Sequence, residues 1–362
     1  MTRIGRLSLA GGWALAMLLA GCTSVHPFQA GPPSQSPSAE SPSAESPSAE
    51  SPPDGSLPAG PAGTESPPAS PGQDTTAAAP PPSPYFAQPA PHPAPGGQAS
   101  SGIAHIVVIV QENKAASQIM GASEAGYFNK LAAEFSVAAN YRAITHPSLP
   151  NYLALTSGTS AGITSDCKPD SCTADVRSIA DEITQSGRTW KMYAEGMPAP
   201  CAAHDSRRYA VKHNPFMYYP AVTDDVASCS DHVVPYDRLG QDLQSPSTLP
   251  DYAFISPDMC HDTHDCSIGT GDDWLAREVP RILGSPAFTT QNSLLVLTWD
   301  EGSKDDNRVA TVFAGPAARK HFTSNAAYSH YSLLHTIEDV WGLSPLTDDV
   351  RNAPLMGELL NH

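Results

Sequence analysis

The chain has 362 residues and sets 20 Lys and Arg against 37 Asp and Glu, for a formal charge of −17. That acidic balance excludes the Lys/Arg-rich contacts that hold a nucleic-acid backbone, and it excludes broad electrostatic adhesion to anionic lipid. Of the 37 prolines, 21 lie between Cys22 and Gly102, in a stretch without Lys or Arg, so roughly 260 residues are left to build a core.

At the N-terminus Arg3 and Arg6 precede an apolar run from Leu7 to Gly21. The run is shorter than the roughly 20 residues of a membrane-spanning helix and has the layout of a secretory signal, so residues 1–21 are read as removed on export. Leu19-Ala20-Gly21-Cys22 resembles the bacterial lipobox, which implies that Cys22 becomes the lipidated first residue of the mature chain. An ordinary signal with a chance cysteine is the competing reading. The expected location is the extracytoplasmic face of the cell membrane, held by the lipid anchor, with shedding or secretion as the alternative. Residues 22–102 read as a disordered Pro/Ser/Ala-rich linker, with tandem copies at Ser36–Glu40, Ser41–Glu45 and Ser46–Glu50. Residues 103–362 are then read as the folded domain.

In that domain His105–Gln111 is a continuous β-branched run of the kind that fills a buried parallel strand. Strand-like runs recur at Ala139–Ile144, Asp251–Ser256, Ser293–Trp299 and Ala310–Ala314, and helical patterns at Gly126–Phe135, Asn151–Thr156, Val176–Ser186, Asp273–Leu283 and Tyr331–Trp341. This alternation predicts an α/β fold with a mostly parallel sheet and helices on both faces. Six cysteines fall within it, and proximity suggests Cys167–Cys172, Cys201–Cys229 and Cys260–Cys266. Zinc is the competing use, but neither a CxxC pair nor an HExxH helix accompanies them.

Function in such sheets gathers beyond the carboxyl ends of the strands. The first strand runs into Glu112-Asn113-Lys114, and the strand ending at Trp299 runs into Asp300-Glu301. Three carboxylates and an amide at one sheet edge repel unless a cation sits among them, and oxygen donors suit a hard divalent ion. A pair of helix caps or solvated acids is the blander reading. Between these segments lies Thr145-His146-Pro147-Ser148-Leu149-Pro150-Asn151-Tyr152, where two prolines fix the backbone around Ser148 ahead of a helix N-terminus. A serine there suits a phosphoserine, because backbone N–H groups and the helix dipole stabilise an anion. A simple N-cap is the alternative.

Glu112-Asn113-Lys114, the His146–Tyr152 segment, Pro257 through His264-Asp265, Trp299-Asp300-Glu301-Gly302 and Ser329-His330-Tyr331-Ser332-Leu333-Leu334 together resemble the phosphoesterase family of bacterial acid phosphatases and phospholipases C. That family lies within the alkaline-phosphatase-like superfamily, whose fold is a three-layer α/β/α sandwich. The resemblance runs over about residues 103–343 and is strongest to secreted actinobacterial acid phosphatases, some of which act on phosphatidylinositol 3-phosphate. It implies one divalent metal ion, Ca, Mg, Mn or Fe, on Glu112, Asn113, Asp300 and Glu301. It further implies Ser148 as nucleophile, His264 and His330 at the phosphate or leaving group, and Asn151, His146 and Lys114 as substrate contacts. The implied substrate is a phosphate monoester or a phosphoinositide, and a phospholipase C-type phosphodiesterase is the alternative within the family. Lys114 stands where Arg is common in the wider family, and a lysine cannot grip phosphate bidentately.

Two readings of other classes compete. Gly158-Thr159-Ser160-Ala161-Gly162 fits GxSxG, and Ser160, Asp300 and His330 follow the order of a Ser-Asp-His carboxylesterase. That elbow needs a strand directly before the serine, whereas Asn151–Thr156 reads as a helix. The other competitor is a catalytically silent surface lipoprotein that keeps the fold.

Overall fold

The computed structural model describes residues 102–303 and 306–361. The expected signal segment, Cys22 and the expected linker up to Ser101 lie outside the described residues. In chain order the strands are β1 (His105–Gln111), β2 (Ser136–Ala138), β3 (Tyr141–Arg142), β4 (Trp190–Ala194), β5 (Val233–Pro235), β6 (Tyr252–Ser256), β7 (Ser293–Trp299), β8 (Val312–Ala314), β9 (Phe322–Ser324) and β10 (Tyr328–Ser329). Eight of them form one sheet in the order β5-β4-β6-β1-β7-β8-β2-β9, and β3 pairs with β10 in a separate ribbon. All neighbours in the large sheet are parallel except β8, which runs antiparallel between β7 and β2.

The chain is therefore an α/β protein with a mostly parallel sheet and helices packed around it. Every residue of β1, β6 and β7 is buried, which is why these runs are mostly apolar rather than alternating. Helix Gly126–Glu134 packs on helix Ile268–Leu283, and helix Ser148–Ser157 packs on helix His330–Trp341. The cysteines pair as Cys167–Cys172, Cys201–Cys229 and Cys260–Cys266, with Cα separations of 6.2, 5.6 and 4.7 Å.

Several boundaries differ from the pattern in the sequence. The Ala139–Ile144 run is not one strand: β2 ends at Ala138 and β3 covers only Tyr141 and Arg142. The following helix opens at Ser148 rather than Asn151, because extended Pro147 precedes it and Pro150 falls at the third helical position. A first-turn residue has no intrahelical N–H bond to lose, so proline fits there. Helix Ile268–Leu283 begins five residues ahead of Asp273, where the Ser267 side chain accepts from the Thr270 amide as an N-cap.

Candidate active site

Because β1 and β7 pair in parallel with Gln111 opposite Trp299, the residues just beyond them, Glu112 and Asp300, emerge side by side. The Asp300 amide donates to the Gln111 carbonyl at 2.9 Å, and the Asn113 amide donates to Asp300 Oδ1 at 3.1 Å. Asn113 adopts the left-handed region at φ 55°, which turns its N–H back toward that carboxylate. Glu112 and Asp300 are both completely buried. Ser148, the first residue of its helix, is 1% exposed and donates from Oγ to Glu112 Oε2 at 3.1 Å. The His146-Pro147 peptide just before it is cis.

Two further buried groups complete the cluster, neither of them among the site residues expected from the sequence, where His213 weighed evenly between a functional and a structural role. Asp262, on the loop after β6, is tied to the end of β1 by its carbonyl, which accepts the Glu112 amide at 2.7 Å. His213, at the end of the 3-10 turn Val211–His213, places Nε2 3.2 Å from Glu112 Oε1 and Nδ1 3.3 Å from Asp262 Oδ2. Its ring stacks on Tyr152 at 5.4 Å between centroids. The Lys212-His213-Asn214-Pro215 segment was a visible signal, and Asp262 sits two residues from His264.

Burial and mutual repulsion push the carboxyl groups of Glu112 and Asp262 well above the ordinary range, and burial with Glu301 nearby raises Asp300 to about 7. Burial, with Lys212 and His264 adding to it, pulls His213 well below its usual value, so it does not supply the missing positive charge. Glu112 Oε1, Asp262 Oδ2, Asp300 Oδ2 and His213 Nε2 are buried without a hydrogen-bond partner. A single buried oxygen without a partner costs about 1–3 kcal/mol, so several gathered in one cluster call for something to meet them. Oxygen donors around an uncompensated charge deficit are the surroundings a hard divalent cation takes, so these residues fit such an ion.

The other expected site residues are arranged around this cluster in different ways. Glu301 is 5% exposed and its Oε2 accepts from Asn151 Nδ2 at 3.3 Å and lies 2.8 Å from His146 Nδ1, while His146 Nε2 is buried and unpartnered. Burial, and Asp166 nearby, raise the Glu301 carboxyl to about 7. Lys114 donates from Nζ to the Thr263 carbonyl at 2.6 Å, and partial burial lowers its pKa. His264 sits 5.9 Å from the His213 ring, with Nδ1 2.8 Å from Asp265 Oδ1.

Two of the expected contacts are corrected. Asn151 is fully buried, and both ends of its amide are used inside the protein: Oδ1 accepts the Ile144 and Thr145 amides, while Nδ2 donates to the Thr145 and Pro147 carbonyls as well as to Glu301. It clamps the turn before Ser148 and has nothing left for a substrate. His330 is likewise fully buried, with Nδ1 3.0 Å from the Tyr141 hydroxyl and Nε2 2.6 Å from the Asp300 carbonyl. Burial holds its pKa down at about 4, so it is a neutral ring supporting the Asp300 backbone from behind. The GxSxG elbow is absent: Gly158 is the left-handed C-cap of the Ser148–Ser157 helix, so Ser160 follows a helix and not a strand. His330 has no nitrogen free to serve Ser160.

A second acidic group occupies the same sheet edge at the ends of β4 and β6. Glu195, Asp258 and His261 bring ligand atoms within 4.8 Å of one another, an arrangement able to hold a cation. Here, however, three of the four carboxylate oxygens are hydrogen-bonded. Glu195 Oε1 accepts from Trp274 Nε1, Glu195 Oε2 accepts from the Asp258 amide and lies 2.9 Å from His261 Nδ1, and Asp258 Oδ1 accepts the Cys260 and His261 amides.

The phosphoesterase family model matches residues 122–344. A phosphatidylinositol-3-phosphatase of Mycobacterium tuberculosis is 36% identical over 256 residues, covering 69% of this chain and 81% of that protein. A phosphate-repressible acid phosphatase of Penicillium chrysogenum is 34% identical over 231 residues, covering 60% of this chain. The chain spans about half the length of that fungal relative, 55%. Among solved structures, a candidate sulfatase of Bacteroides thetaiotaomicron superposes with a TM-score of 0.51 at 12% identity, over 70% of this chain and 74% of that one, which is a likeness of fold alone.

Proposed function

The chain belongs to the phosphoesterase family, hydrolases of phosphoric ester bonds, and we propose that it is a metal-dependent phosphomonoesterase with Ser148 as its nucleophile. The observation that carries this reading is a cluster of three buried carboxylates, each with an oxygen that lacks a hydrogen-bond partner, one of which, Glu112, accepts from the buried Ser148 hydroxyl. Glu112 and Asp300 would hold one divalent cation, with Asn113 and Glu301 beside them. When bound, that ion supplies charge neutralisation at the carboxylates and at a developing phosphoryl charge.

The protein's own groups account for the rest. Glu112 Oε2, 3.1 Å from Ser148 Oγ, accepts the hydroxyl hydrogen. The first turn of the Ser148 helix directs amides toward an incoming anion. Attack of Oγ on phosphorus forms a phosphoserine and breaks the bond to the alcohol oxygen, which takes a proton; water then cleaves the phosphoserine, restoring Ser148 and releasing inorganic phosphate. His264 would serve the leaving oxygen; in support, its Nδ1 is held by Asp265 while its Nε2 makes no hydrogen bond among the described residues. The named activities of the relatives support a phosphate monoester, with the head group of phosphatidylinositol 3-phosphate as one candidate. Lipid anchoring through Cys22, on the extracytoplasmic face, would bring the domain to such a substrate.

The test is release of inorganic phosphate from p-nitrophenyl phosphate and from phosphatidylinositol 3-phosphate by wild type and Ser148→Ala, with and without EDTA. Wild type should turn over and lose activity to EDTA, and Ser148→Ala should fall by at least about a thousandfold. Near-normal rates in Ser148→Ala refute the assignment. Preference for bis-p-nitrophenyl phosphate would instead favour the phosphodiesterase, and EDTA-resistant cleavage of p-nitrophenyl butyrate the carboxylesterase.

A further inference from the structure

The first turn of the Ser148 helix is already occupied by an anion of the protein's own. The Leu149 amide, one residue past Ser148, donates to Asp166 Oδ1 at 3.0 Å. Lys212 Nζ donates to the other oxygen of that carboxylate at 2.8 Å. A first-turn amide and an ammonium are the two kinds of donor that grip a phosphoryl oxygen.

Both ends of this pair border the candidate active site. Leu149 adjoins Ser148, whose Oγ is 3.1 Å from Glu112, and Lys212 adjoins His213, whose Nε2 is 3.2 Å from the same carboxylate. The Lys212 and Asp166 side chains are 22% and 27% exposed, so both meet solvent where the buried cluster does not.

The backbone that carries the pair is braced. Asp166 directly precedes the Cys167–Cys172 disulfide loop, and the Cys167 carbonyl accepts from the Tyr218 hydroxyl at 2.7 Å. Lys168, in that loop, pairs with Asp205, and Asp205 Oδ1 accepts the Val211 amide at 2.9 Å, just before Lys212. Loop 166–172 and loop 205–213 are thus fastened to each other, and the carboxylate is aimed at its two donors by covalent and hydrogen-bonded supports.

We infer that Asp166 is a built-in stand-in for a phosphoryl oxygen. In the substrate-free protein it holds Lys212 and the Leu149 N–H; a nonbridging oxygen of the phosphate monoester displaces it, and Asp166 returns as inorganic phosphate leaves. Only hydrogen bonds are exchanged. This rests on the Ser148 reading above and deepens it, making Lys212 a phosphate-binding residue and Asp166 a positioning residue that sets how tightly phosphate is held.

The test measures competitive inhibition by inorganic phosphate, with KM and kcat, for p-nitrophenyl phosphate turnover by the wild-type chain and by Lys212→Met, Lys212→Arg and Asp166→Asn. Calorimetric binding of phosphate to Ser148→Ala, alone and combined with each substitution, is measured alongside. Lys212→Met should raise Ki and KM by about tenfold or more, and Lys212→Arg should recover part of that loss. Asp166→Asn should lower Ki by about threefold or more, with a reduced kcat as product leaves slowly. An unchanged Ki in Lys212→Met overturns the proposal, and so does an Asp166→Asn protein that is folded yet binds phosphate more weakly. If Asp166→Asn does not fold, the Ki values of the two Lys212 variants decide. A wild-type protein that works while Ser148→Ala does not, with Ki indifferent to Lys212, removes this inference alone; an active Ser148→Ala removes the reading on which it rests.

Discussion

The carboxyl edge of the sheet carries two clusters of similar composition and opposite bookkeeping. Beyond β1 and β7, Glu112, Asp262, Asp300 and His213 leave four buried polar atoms without partners. Beyond β4 and β6, Glu195, Asp258 and His261 meet an indole N–H, backbone amides and one another. A residue count cannot tell these apart. The hydrogen-bond account can, because a closed network has already been neutralised by its own donors, whereas an open one demands an outside charge.

The largest effect that would break this contrast is at Asp300. Asp300→Ala should reduce kcat for p-nitrophenyl phosphate by about a thousandfold or more while the circular dichroism spectrum stays that of the wild type; retention of most turnover would place the chemistry elsewhere. Next is cation binding itself. Titration of metal-stripped protein with Mn or Ca should lose tight binding in Glu112→Gln and keep it in Glu195→Gln, and Glu195→Gln should retain activity within about fivefold. The reverse pattern would make the Glu195 cluster the metal centre. A smaller loss, about tenfold in kcat with little change in KM, is expected for His330→Phe, because the ring supports the Asp300 carbonyl without touching substrate. A loss as large as that of Asp300→Ala would mean that His330 reaches the reacting atoms.

The smallest effect concerns carboxyl groups far from the site. Glu338, fully buried on helix His330–Trp341, has Oε2 unpartnered and is raised by burial to about 8; Glu182 is raised to about 7 in the same way. Both folded-state values exceed the unfolded one, so the stability they confer is complete at acid pH and is lost as pH rises from about 4.5 through about 8. Thermal melts should therefore show Tm falling over that window, and Glu338→Gln should flatten the fall by roughly 5 °C. A wild-type Tm that rises across the window would show these groups to be ionised and paired.

The legible part of the site was the part written in strands. Glu112 and Asp300 each follow seven buried residues, and a polar residue ending such a run is visible without coordinates. The loop residues were not legible to the same degree. His213 reaches Glu112 across 101 positions of chain, a closure that no local pattern encodes. Asn151 and His330 have side chains suited to phosphate, but residue type cannot say whether an amide or imidazole faces the cleft or braces the backbone behind it. The same limit hid β4: Lys191 interrupts its apolar run, and the strand tolerates it because Nζ reaches Asp242 at 2.7 Å.

The pairing of β1 with β7 carries one last consequence. Glu112 and Asp300 are separated by 188 positions yet are joined through adjacent central strands, so the proposed chemistry would need both halves of the chain. On that proposal a truncated or half-synthesised polypeptide would have no partial activity to leak. An ion bridging the two acids would also staple the early and late portions of the chain together, so that starvation for that ion would register as shortened protein lifetime as well as slowed turnover.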